Sequence, residues 1–428
     1  MRFFPWLAFV PVATLAFVAC VGDDAAPVVV APPDEAGTGP GDGSTTNEGS
    51  TTNDGSMPLV DGGGGGDADA APPPCGYPGE ACCAAPLTPC QAGSTCSTAA
   101  VKTCLVSDAW AVGLYAIQVN GMGFPQNRTA SAHYDGSTWT RMPDLPTDWS
   151  PVAIYQAGVS NVHVISSHNN DLGGKYFYWT GAAWLECGVG QTCIGPLTSG
   201  GKNVDFYGLT QVDGEFWLGG VNQIYRCASG ASSCTSQING ITGTWAYGNF
   251  AGTTAMDLWY SSLTRAFHYD GTVWTVHPNL KARSIYQVRK GDAWVGDQTL
   301  QHWNGTAWSA EYNIDGNPAP GYISSISGAA SDDLWAAGNT NGAASFAAHW
   351  SGMAWSLTTL PAAVTGVQTI WAPSKTEAFI VGGNGGIFKW DGTKWTQMTS
   401  PPVTATAPDT TLGNVSWVSI HGLARPRP

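Results

Sequence analysis

GYISSISGAASDDLWAAG at Gly321 to Gly338, then FAAHWSG at Phe346 to Gly352 and MAWSLTTL up to Leu360, holds a unit that recurs down most of the chain. Its tag at Asp333 to Gly338 (DLWAAG) has counterparts at Asp108 to Gly113 (DAWAVG), Asp257 to Ser261 (DLWYS), Asp292 to Gly296 (DAWVG) and Glu377 to Gly382 (EAFIVG). A second tag, aromatic-polar-Gly-x-x-Trp, recurs as YDGSTW at Tyr134, WTGAAW at Trp179, YDGTVW at Tyr269, WNGTAW at Trp303, WSGMAW at Trp350 and WDGTKW at Trp390. Self-similarity of this kind decides the architecture before any single residue does. One such unit cannot bury its own apolar face and must stack on its neighbours.

The quoted copy reads as four short strands: Tyr322 to Ser327, Leu334 to Ala337, Phe346 to Trp350 and Ala354 to Thr359. Polar and Gly-containing turns at Ser331-Asp332-Asp333 and Ser351-Gly352 separate them, which is the pattern of antiparallel hairpins and not of helices. Second-strand tags count out seven units, beginning near Asp108, Asn161, Glu215, Asp257, Asp292, Asp333 and Glu377. Seven four-stranded sheets at roughly 35 to 54 residues each predict an all-β, seven-bladed β-propeller over residues 105–424.

The ends of the array predict how the ring closes. The first unit begins at its second strand, Ala109 to Val112, since Cys104 leaves no room for a first. The last unit ends near Met398, and the chain then runs into NVSWVSIHG at Asn414 to Gly422, which resembles the first strands YISSISG and VQTIWAP. The C-terminus is therefore expected to supply the strand that the first blade lacks, removing an exposed edge.

Residues 1–20 combine Arg2, an apolar core and small residues leading to Cys20, the pattern of a secretory signal peptide. The run FVAC at Phe17 to Cys20 resembles a bacterial lipobox, which implies a lipid on Cys20. Residues 21–74 are rich in Gly, Thr, Asp and Pro, with the tandem GSTTNEGSTTND and five consecutive glycines, and read as a disordered tether. A coil of that length would reach on the order of 40 Å. Residues 1–74 hold ten acidic side chains and one base, Arg2, so nine of the fourteen net negative charges lie outside the repeats. The repeat region shows no basic stripe, which excludes a nucleic-acid partner that needs one.

Of eleven Cys, ten remain after Cys20, an even number suited to full pairing in an oxidising compartment. Cys75, Cys82, Cys83, Cys90, Cys96 and Cys104 form a six-cysteine module over residues 75–104 whose connectivity the spacing leaves open. Its CGYPGEACC opening resembles knottin-like or Dickkopf-type modules. Two local disulfides are expected in units two and three, Cys187 to Cys193 and Cys227 to Cys234, as staples for blades that depart from the tags.

Candidate chemistry is sparse. His133, His268, His302 and His349 occupy one register position in different units, so they cannot gather round one metal and are read as structural hydrogen-bonding groups. His421 lies in the closing strand near the axis. The Asp-box of sialidases also ends Gly-x-x-Trp, but here Asp135, Asp270 and Asp391 directly precede the Gly and give way to Thr180, Asn304 and Ser351 in sister units. All of these are turn formers. The chain has no H-E-x-x-H, G-x-S-x-G or Walker loop, and no cofactor or metal is expected. Binding residues are expected in unrepeated loops, of which Gly121 to Thr129 and His168 to Lys175 stand out.

Across about Leu105 to Leu423 the chain resembles the Trp-rich propeller repeats common in exported proteins of myxobacteria-like bacteria. That resemblance implies a monomeric, lipid-anchored binding or scaffold protein of the cell envelope, meeting a protein or glycan partner. The alternatives are a carbohydrate-binding lectin and a secreted hydrolase or lyase with an axial active site.

Overall fold

The computed structural model describes residues 94–96, 104–119, 124–167, 174–187, 198–199, 202–203, 206–220, 223–228, 234–239, 248–263, 265–314, 320–341, 344–403 and 409–425. The chain divides into Met1–Ala70, wholly outside those residues, and Ala71–Pro428, which holds everything that follows. Cys20, the tether, Cys75, Cys82, Cys83, Cys90 and Cys193 also lie outside them.

Seven antiparallel sheets follow one another along the chain, each a blade. Blade 2 runs Ser150–Gly158, Asn161–Ser167, Gly174–Trp179 and Trp184–Glu186; blade 3 runs Phe206–Val212, Glu215–Gly220, Gln223–Cys227 and Thr235–Asn239. Blade 4 is Phe250–Thr254, Asp257–Ser262, Arg265–Tyr269 and Trp274–Pro278; blade 5 is Ser284–Arg289, Asp292–Gly296 and Leu300–Trp303. Blade 6 is Pro320–Ala330, Asp333–Thr340, Ser345–Trp350 and Trp355–Thr358; blade 7 is Val367–Ser374, Glu377–Gly382, Ile387–Trp390 and Trp395–Gln397. The quoted copy thus folds as its pattern predicts, with longer first and second strands.

Blade 1 contains both ends of the propeller. The strand Thr410–Arg425 pairs with Cys104–Gln118, which pairs with Gln126–Tyr134 and that in turn with Trp139–Leu145. The closing ladder runs from Val106 opposite Arg425 to Gln118 opposite Thr410, with two register shifts. The ring therefore closes through backbone hydrogen bonds between residues some three hundred positions apart.

The strand Cys104–Gln118 begins at the last cysteine of the expected module, and Ser94–Cys96 pairs with its start. One expectation needs correction. Blade 5 has three strands and not four. Its outer segment meets the third strand only at Trp303 opposite Trp308 and Leu300 opposite Tyr312. The reason is local: the Ser309 hydroxyl accepts the His302 N–H at 2.9 Å, taking a bond that a regular ladder would give to a carbonyl.

The six Gly-x-x-Trp turns share one conformation. The glycines Gly136, Gly181, Gly271, Gly305, Gly352 and Gly392 all have φ between +89° and +101°, a region that disfavours residues with a Cβ. In five of them, those of Asp135, Thr180, Asp270, Asn304 and Asp391, the residue before the Gly receives the turn's N–H groups. Asp270 Oδ1, for example, accepts Thr272 N at 2.8 Å and Val273 N at 2.9 Å, and Asn304 Oδ1 accepts Thr306 N and Ala307 N at 3.0 Å. Asp270 and Asp391 are thereby held at about 2, through bonds from their own turn backbone and neighbouring threonines. Turn geometry accounts for the Asp-box likeness.

An aromatic triad locks blade to blade at six of the seven contacts. The second-strand Trp335 of blade 6, fully buried, lies 5.1 Å from Trp390 and 5.2 Å from Trp395 of blade 7. The same triad recurs as Trp110 on Trp179 and Trp184, Trp217 on Tyr269 and Trp274, Trp259 on Trp303 and Trp308, and Trp294 on Trp350 and Trp355. Phe379 of blade 7 takes the Trp position against Tyr134 and Trp139 of blade 1, so the clasp also spans the closure. Each ring pair contributes roughly 0.5–1.5 kcal/mol beyond its area burial.

Candidate functional site

Antiparallel strands divide the turns between two faces. Connections from first to second and from third to fourth strands lie on one face; the remainder lie on the other. On the first, the tag face, every described first-to-second turn has two residues: 159–160, 213–214, 255–256, 290–291, 331–332 and 375–376. The third-to-fourth turns 135–138, 180–183, 270–273, 351–354 and 391–394 have four each, and 304–307 makes the same turn in blade 5. Only 228–234 in blade 3 differs.

The opposite face, the loop face, has no such uniformity. Its connections range from the two-residue link 221–222 to the segment 187–205, which carries its own small hairpin, Thr198–Ser199 with Lys202–Asn203. Both loops singled out in the sequence, Gly121 to Thr129 and His168 to Lys175, overlap second-to-third connections in adjacent blades and so share this face. The described residues here include Phe124, 64% exposed, and the ring of Trp149 with the Lys175 ammonium 4.8 Å from its centroid. Further round, Arg283 lies over Tyr322 at 4.5 Å. Arg265, Pro278, Asn279, Leu280 and Lys281 line a shallow, open depression of about 350 Å³.

The patterned histidines lie inside the blades, not on either face. The Nε2 of three donates to the acid that opens the second strand of its own blade: His268 to Asp257 at 2.5 Å, His302 to Asp292 at 2.8 Å and His349 to Asp333 at 2.6 Å; the His133 Nε2 lies 3.3 Å from Asp108 without a hydrogen bond. Each imidazole also lies on the second-strand indole, closest at His268 on Trp259 (4.1 Å, 16° between planes) and His302 on Trp294 (4.5 Å, 18°). Blade 7 builds the same unit as Glu377, Lys389 and Phe379, and blade 3 as Glu215, Arg226 and Trp217. In these two blades the cation of Lys389 or Arg226 is held between a carboxylate and a ring. For Lys389, burial favours the neutral amine, but the Glu377 charge outweighs it and holds the pKa above the usual lysine value.

The acids also reach the next blade. Asp108 accepts from Gln156 Nε2 at 2.5 Å, and Asp257 from Gln287 Nε2 at 2.7 Å and Gly291 N at 3.0 Å. Asp292 accepts from the Ser331 hydroxyl, and Glu377 from that of Ser107 across the closure. Burial pushes the Asp257 carboxyl up, but bonds from His268, Gly291 and Gln287 prevail and hold it below the usual carboxylate range. These groups are committed to one another and hold blades together. Sequence spacing alone marked the histidines as structural; the diagonal pairing with the acids two register positions away needed the strand ladder.

His421 lies on the closing strand, its Nδ1 accepting Gln156 N at 3.1 Å and its ring 4.6 Å from Tyr155. Burial lowers it to about 4. It has no acidic or histidine companion that could form a cluster: among the described residues no three His, Cys, Asp or Glu side chains are placed to hold a metal ion. Cys227 and Cys234 form a disulfide, and Cys187 is disulfide-bonded. Its expected partner, Cys193, lies outside the described residues.

The molecule is thus a seven-bladed β-propeller with one standardised face and one variable face. No known family model matches the sequence, and no curated protein matches it. Solved structures similar to it include YCF48 bound to D1 peptide, with 14% identity, 66% of this chain and 94% of that chain covered, and a TM-score of 0.45. YCF48 from Cyanidioschyzon merolae shows 10% identity over 66% of this chain and 97% of that one, at a TM-score of 0.46. The WD40 β-propeller domain of Doa1 shows 12% over 60% and 84%, at 0.45. The propeller assignment rests on the chain's own seven sheets.

Proposed function

We propose that this protein is a non-catalytic binding or scaffold protein of the bacterial cell envelope, exported and anchored by a lipid on Cys20. Its protein or glycan partner is met on the loop face. The β-propeller fold is commonly a binding or scaffold domain and fits this reading. One observation carries it: the turns of the tag face repeat a single design, whereas the connections of the loop face vary in length and composition and carry the exposed Phe124 beside the half-buried pair of Trp149 and Lys175. A rigid scaffold with variable loops on one face is the usual arrangement for recognition.

The test pairs the two faces. Phe124→Asp and Trp149→Ala on the loop face, and Asp270→Asn and Val273→Ser on the tag face, are compared with the parent chain in a glycan-array screen and in capture from envelope extracts. Saturable binding lost in the first pair and kept in the second supports the reading. Binding that survives the loop-face changes and disappears with the tag-face ones overturns it. Export and anchoring are tested separately, by incorporation of labelled fatty acid in cells and its loss in Cys20→Ser.

A further inference from the structure

Six of the seven blade contacts carry the aromatic triad, and the seventh, between blades 2 and 3, carries cysteines. On the blade 2 side, His163 stands two residues after Asn161 and opposite Tyr178, the register that Trp110 holds two after Asp108 and opposite His133. On the blade 3 side, Arg226 faces Thr235 as His268 faces Thr275 in blade 4. Cys227 and Cys234 therefore occupy the places of Tyr269 and Trp274. A disulfide replaces the clasp. The packed cluster at this seam includes Cys187, Cys227 and Cys234 with Tyr176, Phe216 and Tyr225, and it alone among the core clusters contains no tryptophan.

The polar link is weaker here too. Asn161, uncharged, stands where other blades place an acid, and its Oδ1 bonds the His163 Nε2 at 2.5 Å instead of reaching blade 3. His163 Nδ1 accepts the Tyr176 hydroxyl, also at 2.5 Å, so the imidazole is satisfied within its own blade. What crosses the seam is the Tyr155 hydroxyl on Gln211 O at 2.7 Å, the edge of His163 on Phe216 at 4.5 Å, and the apolar cluster.

We propose that this seam is a thiol–disulfide switch: reducing the Cys227–Cys234 bridge, which ties the third strand of blade 3 to its fourth, loosens the packing of blade 3 on blade 2, while the Trp-clasped blades stay closed. Cys234 is half-buried and Cys227 fully buried, so a dithiol reductant attacks the Cys234 sulfur. The S–S bond breaks and Cys227 leaves as a thiolate into the core, where it takes a proton. The second thiol of the reductant then displaces Cys234, leaving two protein thiols and a cyclic disulfide of the reductant. Two thiols fill far less of the seam than the Tyr and Trp rings of the other blades, and the turn 228–234 is no longer closed on itself.

Hydrogen exchange on the full chain, with and without dithiothreitol, tests this. Amides of Glu215–Gly220 and Gln223–Cys227 are expected to exchange roughly fiftyfold faster on reduction, the loss of constraint for a bridge of sequence separation 7. Amides of Asp292–Gly296, Asp333–Thr340 and Glu377–Gly382 should keep their protection. An equal loss in all blades, or none at the seam, overturns the switch. The double variant C227S/C234S should show the loosened seam without reductant. In C227Y/C234W, which installs the clasp of the other blades, the response of the two blade 3 strands should vanish, and its persistence would sink the assignment to this bridge.

Discussion

Asp257 is the most informative residue to remove. Its carboxylate is 2% exposed and accepts three bonds: His268 in its own blade at 2.5 Å, and Gln287 Nε2 at 2.7 Å and Gly291 N at 3.0 Å in the next. Bonds to a charged group contribute about 1.5–3 kcal/mol each. They are not additive, because His268, 21% exposed, recovers some hydration when its partner goes. Gln287, at 5% exposure, does not. Asp257→Ala is therefore expected to destabilise by about 3–5 kcal/mol, the cost of breaking a buried pair. Asp270→Ala is the control, since Asp270 makes as many bonds within its turn but stands in water, and its loss should cost under about 1 kcal/mol. Urea unfolding followed by tryptophan fluorescence reads both. The pH dependence adds a second check. Asp257 is lowered in the folded state, so its contribution is full above the unfolded value of 3.8 and disappears as pH falls through the lower folded value. The parent should lose stability in that acid range more steeply than the variant. A cost for Asp257→Ala no larger than for Asp270→Ala would refute the view that these acids join the blades.

Three further outcomes follow from the same structure. Trp335→Ala should cost about 3–5 kcal/mol, but Trp335→Phe much less, because the Trp335 Nε1 is buried without a hydrogen-bond partner and Phe379 already fills the equivalent place in blade 7; differential scanning calorimetry compares them. His163 is lowered to about 4 by burial, so the unfolded chain takes up its proton first, and stability should fall as pH drops from 6.5 towards 4. The loss is on the order of 3 kcal/mol and should be absent in His163→Gln, as measured by urea midpoints across that range. A chain ending at Asp409 lacks the strand that pairs with Cys104–Gln118, and should give no cooperative thermal transition, whereas one ending after Arg425 should melt like the parent.

Much of this was legible because the repeat is read against itself. The tags at Asp333 and Trp350 mark a second strand and a hairpin turn wherever they recur, and the lone strand at Asn414 to Gly422 could be matched to the missing one in blade 1. Side-chain partnerships were less accessible. Asp257 and His268 lie on neighbouring strands in diagonal register, and that register exists only once the ladder Leu258 opposite Tyr269 is formed. Blade 5 reads as four strands, yet the Ser309 hydroxyl replaces a ladder bond and the outer segment is joined to the third strand only by two isolated bridges. The cysteine pair at 227 and 234 was visible as a staple. That it occupies the place of a Tyr–Trp clasp was not, since the substitution is defined by pairing and not by spacing.

The candidate site was legible only by subtraction. Everything the repeat specifies, the acid, its His, Lys or Arg partner, the indole, the turn Gly and the outer Trp, is consumed in holding seven sheets in a ring: Asp257 bonds His268 and Gln287, and Trp259 packs on Trp303 and Trp308. These groups sit between blades or on the tag face. A residue used to join blade to blade cannot vary without destabilising the ring, whereas a loop outside the ladders can change freely. The loop face is where that freedom has been used, with segments as different as 221–222 and 187–205 carried by the same sheet pattern. At the blade 2 and 3 seam variation has entered the framework itself, and there Cys227–Cys234 supplies a covalent bond where the repeat would have supplied two rings. The longest connection, 187–205, leaves from that same seam. Loosening the seam would therefore move the loops beside it more than any others in the ring.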